Sequence, residues 1–359
     1  MAGATGLYAQ WCAVDEVTYG VVPSLSTAKF YAVQSDTLEL KKVPKQGTGI
    51  FQGSLAPRAA RRVGSQEFSA AGAVVMELPE RNMEQWLYRM QGSYGLTAAA
   101  LTQDGSTGAY TAVHALGSID GHSFSVQKGA PTVDGTIEPL TYSGCKISDW
   151  QLDATLGDIV KLTMTIEGRT ELAGSFHDPL NGSVPSLQAY SAPTAGSVFR
   201  WVGAAVYYGG TPSTTSGVTT LSAPTLAGNI TGPLMYKQTR PLDLTRYAPD
   251  VAPYRNAPLQ NNVTQITGSF GVEWLSAETY LAAYQNDTAT SIEFQFTTVP
   301  IGSGSDVATF TVLVPNVRLE GESVKIPGPQ VLTQSVSFTG LDNGADNISQ
   351  VTYWTLDAS

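Results

Sequence analysis

Three histidines, two cysteines and a scatter of carboxylates are the side chains through which this 359-residue chain could do chemistry. His114, His122 and His177 could carry protons or bind metal, but their spacing matches no zinc motif. Gly121-His122-Ser123-Phe124-Ser125 has the outline of a nucleophile elbow, yet it lacks the closing glycine and a strand-to-helix setting. Asp149 and Asp153 are carboxylates of the kind a glycosidase pairs about 5–10 Å apart across a cleft; any acidic β protein offers such pairs. Asp342-Asn343-Gly344-Ala345-Asp346-Asn347 has the colouring of a calcium loop without EF-hand spacing or a terminal glutamate, and reads as an Asx-rich turn. There is no Walker loop, no G-x-G-x-x-G before a helix and no H-E-x-x-H. Cys12 and Cys145 read as two separate thiols. The sequence therefore predicts no catalytic residue, no cofactor and no metal site.

Composition narrows the classes further. A net charge of −10 argues against a nucleic-acid binder, which carries a basic domain or stripe. Residues 1–176 hold 13 basic and 17 acidic residues, and residues 177–359 hold 7 and 13, so neither half is basic. Charged residues make up 14% of the chain, against a usual share of about 25%. A surface so poor in charge is weakly protected against association, which suits a protein packed against its own copies. The N-terminus has no basic and apolar leader, and no apolar run approaches the ~20 residues of a membrane span. Synthesis and folding in a cytoplasm are expected.

The elements that would position these residues come twice. Alternation over residues 7–40 predicts strands, as in Lys29-Phe30-Tyr31-Ala32-Val33. Residues 41–66 form a loop or hairpin with Lys41, Lys42, Lys45, Arg58, Arg61 and Arg62, either a solvated loop or a basic arm for an acidic neighbour. A strand from Gln66 to Glu77 runs into a helix with Pro79 in its first turn, Glu80 and Glu84 at its positive end, and Gly92 at its stop. Met83, Trp86, Leu87 and Met90 make its apolar stripe. A second helix is expected from Ser276, presenting Tyr280, Leu281 and Tyr284. Residues 97–140, apart from a strand at His122–Val126, are expected to hold an excess over the second half in a surface loop.

Closing hairpins end at Gly168 and Gly340. Lys161, Thr163, Thr165 and Glu167 alternate with apolar residues in the first; in the second Val336 and Phe338 take the apolar places and Thr333, Ser335, Ser337 and Thr339 the polar ones. Pro57 and Pro253 sit in matching Ala-Pro contexts. The pattern predicts a first module over 1–176, a linker over 177–197 and a second module over 198–359.

The run Tyr142-Ser-Gly-Cys-Lys-Ile-Ser-Asp-Trp-Gln-Leu152, the alternating strand to Gly168, Phe199-Arg-Trp-Val-Gly-Ala-Ala-Val206, and the stretch from Val317 to Phe338 carry a resemblance. Together they resemble the tail tube (major tail) proteins of long, non-contractile-tailed bacteriophages. The resemblance implies a mainly β chain: two tandem β-sandwich or partly closed barrel modules, each flanked by one short α-helix. It implies a non-enzymatic virion protein, assembled in the host bacterial cytoplasm, whose copies form rings stacked into a hollow tube. DNA would pass through the lumen without specific binding. Tape-measure, tail-terminator and distal tail proteins are the further partners implied. Two modules per chain favour a ring of three chains with pseudo-six-fold symmetry, with six chains as the alternative. The two alternating sets named above, Lys161 to Glu167 and Thr333 to Thr339, are candidates for a polar lumen face. The basic residues of 41–66 are candidates for an arm bridging stacked rings. The competing readings are a non-polymerising decoration or adhesion protein with immunoglobulin-like domains and, more remotely, a β-sandwich glycosidase.

Overall fold

Alternation governs the structure as it governs the sequence. In Lys161–Gly168, Leu162, Met164 and Ile166 are buried while Lys161, Thr163, Thr165 and Glu167 are half-buried on the opposite face. The computed structural model describes residues 5–355 apart from 51, 54, 65–66, 93–101, 104–108, 177, 195, 249–251, 275–279, 301–306, 322–325, 327 and 330. Its principal elements in the first half are β1 (Gln10–Glu16), β2 (Ser35–Asp36), β3 (Glu39–Lys42), β4 (Phe68–Glu77), α1 (Glu84–Gln91), β5 (Tyr110–Ala115), β6 (Ser123–Pro131), β7 (Ile137–Ala154), β8 (Lys161–Gly168) and β9 (Thr170–Leu172). The second half contributes β10 (Ala204–Tyr208), β11 (Leu234–Thr239), β12 (Gln265–Glu273), α2 (Ala282–Gln285), β13 (Thr290–Pro300), β14 (Val307–Glu320), β15 (Thr333–Gly340) and β16 (Gln350–Thr355). The chain is mainly β, with short helices laid over the sheets.

The pairing order of the first half recurs in the second. β1 pairs with β6, β6 with β7, β7 with β8 and β8 with β4, all antiparallel, and β2 and β3 line the other edge of β4. In the second half β10 pairs with β13, β13 with β14, β14 with β15 and β15 with β12, and β11 lines the other edge of β12. β9 returns to β7 as β16 returns to β14. Register repeats too. Gly168, Ile166 and Met164 lie opposite Ala70, Gly72 and Val74; Gly340, Phe338 and Val336 lie opposite Ile266, Gly268 and Phe270. Gly72 and Gly268 thus hold equivalent positions, and each is glycine because something passes close. A Cβ on Gly72 would sit 2.4 Å from the Leu38 backbone, and one on Gly268 would sit 2.4 Å from the Phe338 ring.

Two further ladders join the halves. The end of β7 pairs with β11, from Asp149 opposite Thr239 to Ala154 opposite Leu234. β5 pairs with β16, from Tyr110 opposite Thr355 to Ala115 opposite Gln350. The apolar core runs through both halves, taking in Trp86 and Trp150 with Phe270, Phe310 and Phe338.

Three expectations change. The 97–140 excess is not simply a surface loop: β5 lies inside it, with Ala112, His114 and Ala115 buried. Without β5, β16 would leave a row of backbone donors and acceptors open, and the alternating Tyr110–Ala115 run satisfies them. The helix starts at Glu84 and not at Pro79, because Asn82 turns into the left-handed region (φ 63°) and Pro79 bridges to Val198. Glu80 consequently caps no helix and accepts from the Ser197 backbone N–H at 2.6 Å. The stretch 178–197 has linker composition, yet Asp178, Gln188 and Ser197 bond to the first half. Asp178 is buried in an ion pair with Arg169, and the Gln188 backbone N–H donates to Gln127 at 2.8 Å.

The helix stripe itself is as read: Met83, Trp86, Leu87 and Met90 are all buried, and Gly92 ends the helix with φ 78°. Tyr280 is buried and donates to the Ala227 carbonyl at 2.7 Å, whereas Tyr284 is exposed. The expected start at Ser276 lies outside the described residues.

Candidate functional site

Among the described residues, several of the side chains that could have done chemistry hold structural bonds instead. His114 is buried on β5, and burial pushes its pKa down to about 4. His122 Nδ1 shares a 2.7 Å hydrogen bond with the Tyr88 hydroxyl; His177 lies outside the described residues. Ser123, in the elbow-like run, donates at 2.7 Å to buried Glu16. That carboxylate also accepts from Ser125 Oγ and from the backbone N–H groups of Gly20 and Gly144, so it ties β1, β6 and β7 together. Burial raises its pKa against the pull of those four bonds. Cys12 and Cys145 are free and buried, and burial holds both thiols protonated, Cys12 at about 11. The 342–347 run is an Asx turn, with Gly344 N–H donating to Asp342 at 2.7 Å. Among the described residues no three His, Cys, Asp or Glu side chains gather as a metal site.

A continuous polar sheet face is what the fold builds instead. Side chains directly opposite in an antiparallel ladder share a face. One row therefore runs Glu77, Lys161, Asp153, Met235, Ser269, Ser337, Glu320 across β4, β8, β7, β11, β12, β15 and β14. The next runs Val75, Thr163, Gln151, Lys237, Thr267, Thr339, Arg318 over the same strands. A third runs Ala73, Thr165, Asp149, Thr239, Gln265. The β7–β11 ladder thus places Lys161, Thr163 and Thr165 on the same face as Ser337 and Thr339. Thr333 and Ser335 extend it opposite Glu273 and Gly271. Acids outnumber bases on it: Glu77, Asp149, Asp153, Glu273 and Glu320 against Lys161, Lys237 and Arg318. Hydrogen bonds along the face fix several of these groups, such as Gln151 Nε2 to Asp153 at 2.8 Å and Thr339 Oγ1 to Glu320 at 2.6 Å.

Glu167 departs from its set. Its carboxylate accepts at 2.8 Å from Arg255 Nη1, on a segment of the second half that lies over this end of the face. The basic residues Lys41, Lys42, Lys45, Arg58, Arg61 and Arg62 are all exposed, on β3 and on a small hairpin that pairs Lys45–Gln46 with Arg62–Val63. Lys41 pairs with Glu39 on its own strand.

Sequence reasoning missed β11 and Arg255. Leu234-Met-Tyr-Lys-Gln-Thr239 alternates as a strand should, buried at Leu234, Tyr236 and Gln238, so its existence was readable. Its role as the joint between halves was not, since alternation names a face and not a neighbour.

No curated protein matches this chain. Residues 9–340, nearly its whole length, match the family model described as phage tail tube protein. A mainly β frame whose sheets join edge to edge and carry a small-polar face agrees with that match, and the chain belongs to the phage tail tube protein family.

Proposed function

We propose that three copies of this chain close into a ring with pseudo-six-fold symmetry, and that stacked rings form the tail tube through which DNA leaves the virion. The two halves are read as two tube modules, 1–176 and 198–359, each filling one of six positions. The observation that carries this reading is the β7–β11 ladder. It joins the repeated pairing frames edge to edge inside one chain, by a contact that can recur between chains. In the first half β2 and β3 occupy the place on β4 that β11 occupies on β12. Among the described residues the ladders of these two strands run to β4 alone. An open strand edge is a template for another strand, and a head-to-tail contact that closes gives a ring.

The polar face is the proposed lumen lining. Duplex DNA carries one negative charge per ~1.7 Å, and grooves that neutralise phosphates hold it fast. A face of Thr, Ser and Gln with more acid than base gives DNA nothing to pair with, so it slides. Tape-measure, tail-terminator and distal tail proteins would meet the tube along its lumen and at its two ends, and assembly would take place in the host cytoplasm.

The mass of a single ring tests the stoichiometry. Native mass spectrometry or end-on projection images of purified tubes should give three times the 37.9 kDa chain per ring. Six chains per ring, with one half alone lining the lumen, would sink the reading.

A further inference from the structure

Two segments hold equivalent places in the two halves, and the isolated chain treats them oppositely. Segment 240–262 follows β11 and leads to β12; segment 43–64 follows β3 and leads to β4. Each carries an Ala-Pro pair, at Pro253 and at Pro57. Described residues of 240–262 lie on the first half of their own chain. Tyr254 stacks on Phe68 at 5.1 Å, Arg255 reaches Glu167, and Lys146 Nζ donates to the Pro258 carbonyl at 2.9 Å. Every described residue of 43–64 is exposed, with Ile50 and Leu55 fully so. It is basic without a single acid, whereas residues 177–359 carry 13 acids against 7 bases.

The surface that would receive it is present on the second half. On the first half Lys146 lies opposite Glu167, and the segment binds both. Their counterparts are Arg318 and Thr339, which lie opposite each other in the β14–β15 ladder. Arg318 Nη1 is buried with no hydrogen-bond partner among the described residues of the chain, although its Nε faces Asp287 at 3.4 Å. A buried guanidinium donor without an acceptor is costly, and the equivalent lysine spends its donor on a backbone carbonyl of the segment that covers it. Glu320, bonded to Thr339, is exposed and supplies an acid for the basic arm.

We infer that segment 43–64 is a lateral clasp: it crosses onto the β14–β15 surface of the adjacent copy in the same ring, as 240–262 crosses onto β7 and β8 within its own chain. This rests on the ring reading above and goes beyond it, since it places the basic arm beside its own ring position and not between stacked rings. Arg318 Nη1 gains a backbone carbonyl of the neighbour's arm, and Ile50 and Leu55 become covered.

The test uses the full-length chain carrying Arg58→Cys and Thr339→Cys, assembled and treated with a short bismaleimide. Cys12 and Cys145 are buried, and the wild type and the two single variants serve as controls. Denaturing gels should show cross-linked products of two and three chains and none larger, because the contact closes on itself. Products that climb past the ring size place the arm between rings and overturn the clasp. Assembled rings without any cross-linked product also overturn it, and leave the ring reading standing. Failure of the wild type to form rings at all, measured separately by native mass, rejects the ring reading itself.

Discussion

Arg255 of the second half donates from Nη1 to Glu167 of the first at 2.8 Å, with the two side chains only 7% and 13% exposed. A strand face that is otherwise open is thereby closed at one end by a residue 88 positions away. Arg169 strengthens the arrangement by donating to the Arg255 backbone carbonyl at 2.7 Å while pairing with buried Asp178. The halves are thus held by charge at this corner as well as by the β7–β11 ladder.

Breaking that pair from one side leaves a charge in a place where water reaches poorly. Arg255→Gln should lower unfolding free energy by ~3–5 kcal/mol, the usual cost of stripping a partner from a buried ion pair. Removing both charges, with Arg255→Gln and Glu167→Gln together, should recover a large part of the loss. Urea unfolding of the two single variants and the double variant measures the coupling directly. Equal stability of the single and double variants would show that packing, and not the charge pair, holds the corner.

His114 gives the joint between β5 and β16 a pH response. An unfolded imidazole titrates near 6.5, and burial brings this one to about 4. Between those values the unfolded chain binds more protons than the folded chain. The stability tied to keeping His114 neutral is therefore fully present above 6.5 and is lost as pH falls through 4. The span corresponds to about 3 kcal/mol. Thermal unfolding of the wild type and of His114→Leu across pH 7 to 4 should show the leucine variant losing less stability as acid is added. Parallel pH profiles for the two proteins would rule the imidazole out as the source.

The polar face can be turned against its proposed use. Asp149→Lys with Asp153→Lys places two cations in the first and third rows, on either side of the Gln151–Lys237 row and close to Lys161, reversing the local sign. Assembled wild-type tubes should retain no short duplex DNA, while tubes of the double variant should retain it. That retention should weaken steeply as salt rises, since it depends on releasing counterions from phosphates. Equal behaviour of the two tubes would place this face outside the lumen.

Much of this protein is determined by the sequence alone. The alternation of Lys161–Gly168 and Thr333–Gly340 fixes which side chains face the core, because a strand has a period of two whatever lies beside it. The stripe from Met83 to Met90 fixes the buried face of α1, and the match over residues 9–340 fixes the family. The basic character of 41–66 is likewise plain in the sequence. Tertiary structure alone decides which strands become neighbours, since ladder bonds join backbones that are alike at every residue. That is why the β7–β11 joint, the capture of Tyr110–Ala115 by β16, and the burial of Glu167 beneath Arg255 appear only in the folded chain. The start of α1 belongs with them, because the bridge from Pro79 to Val198 comes from more than a hundred residues away and overrides a local preference for a helical first turn.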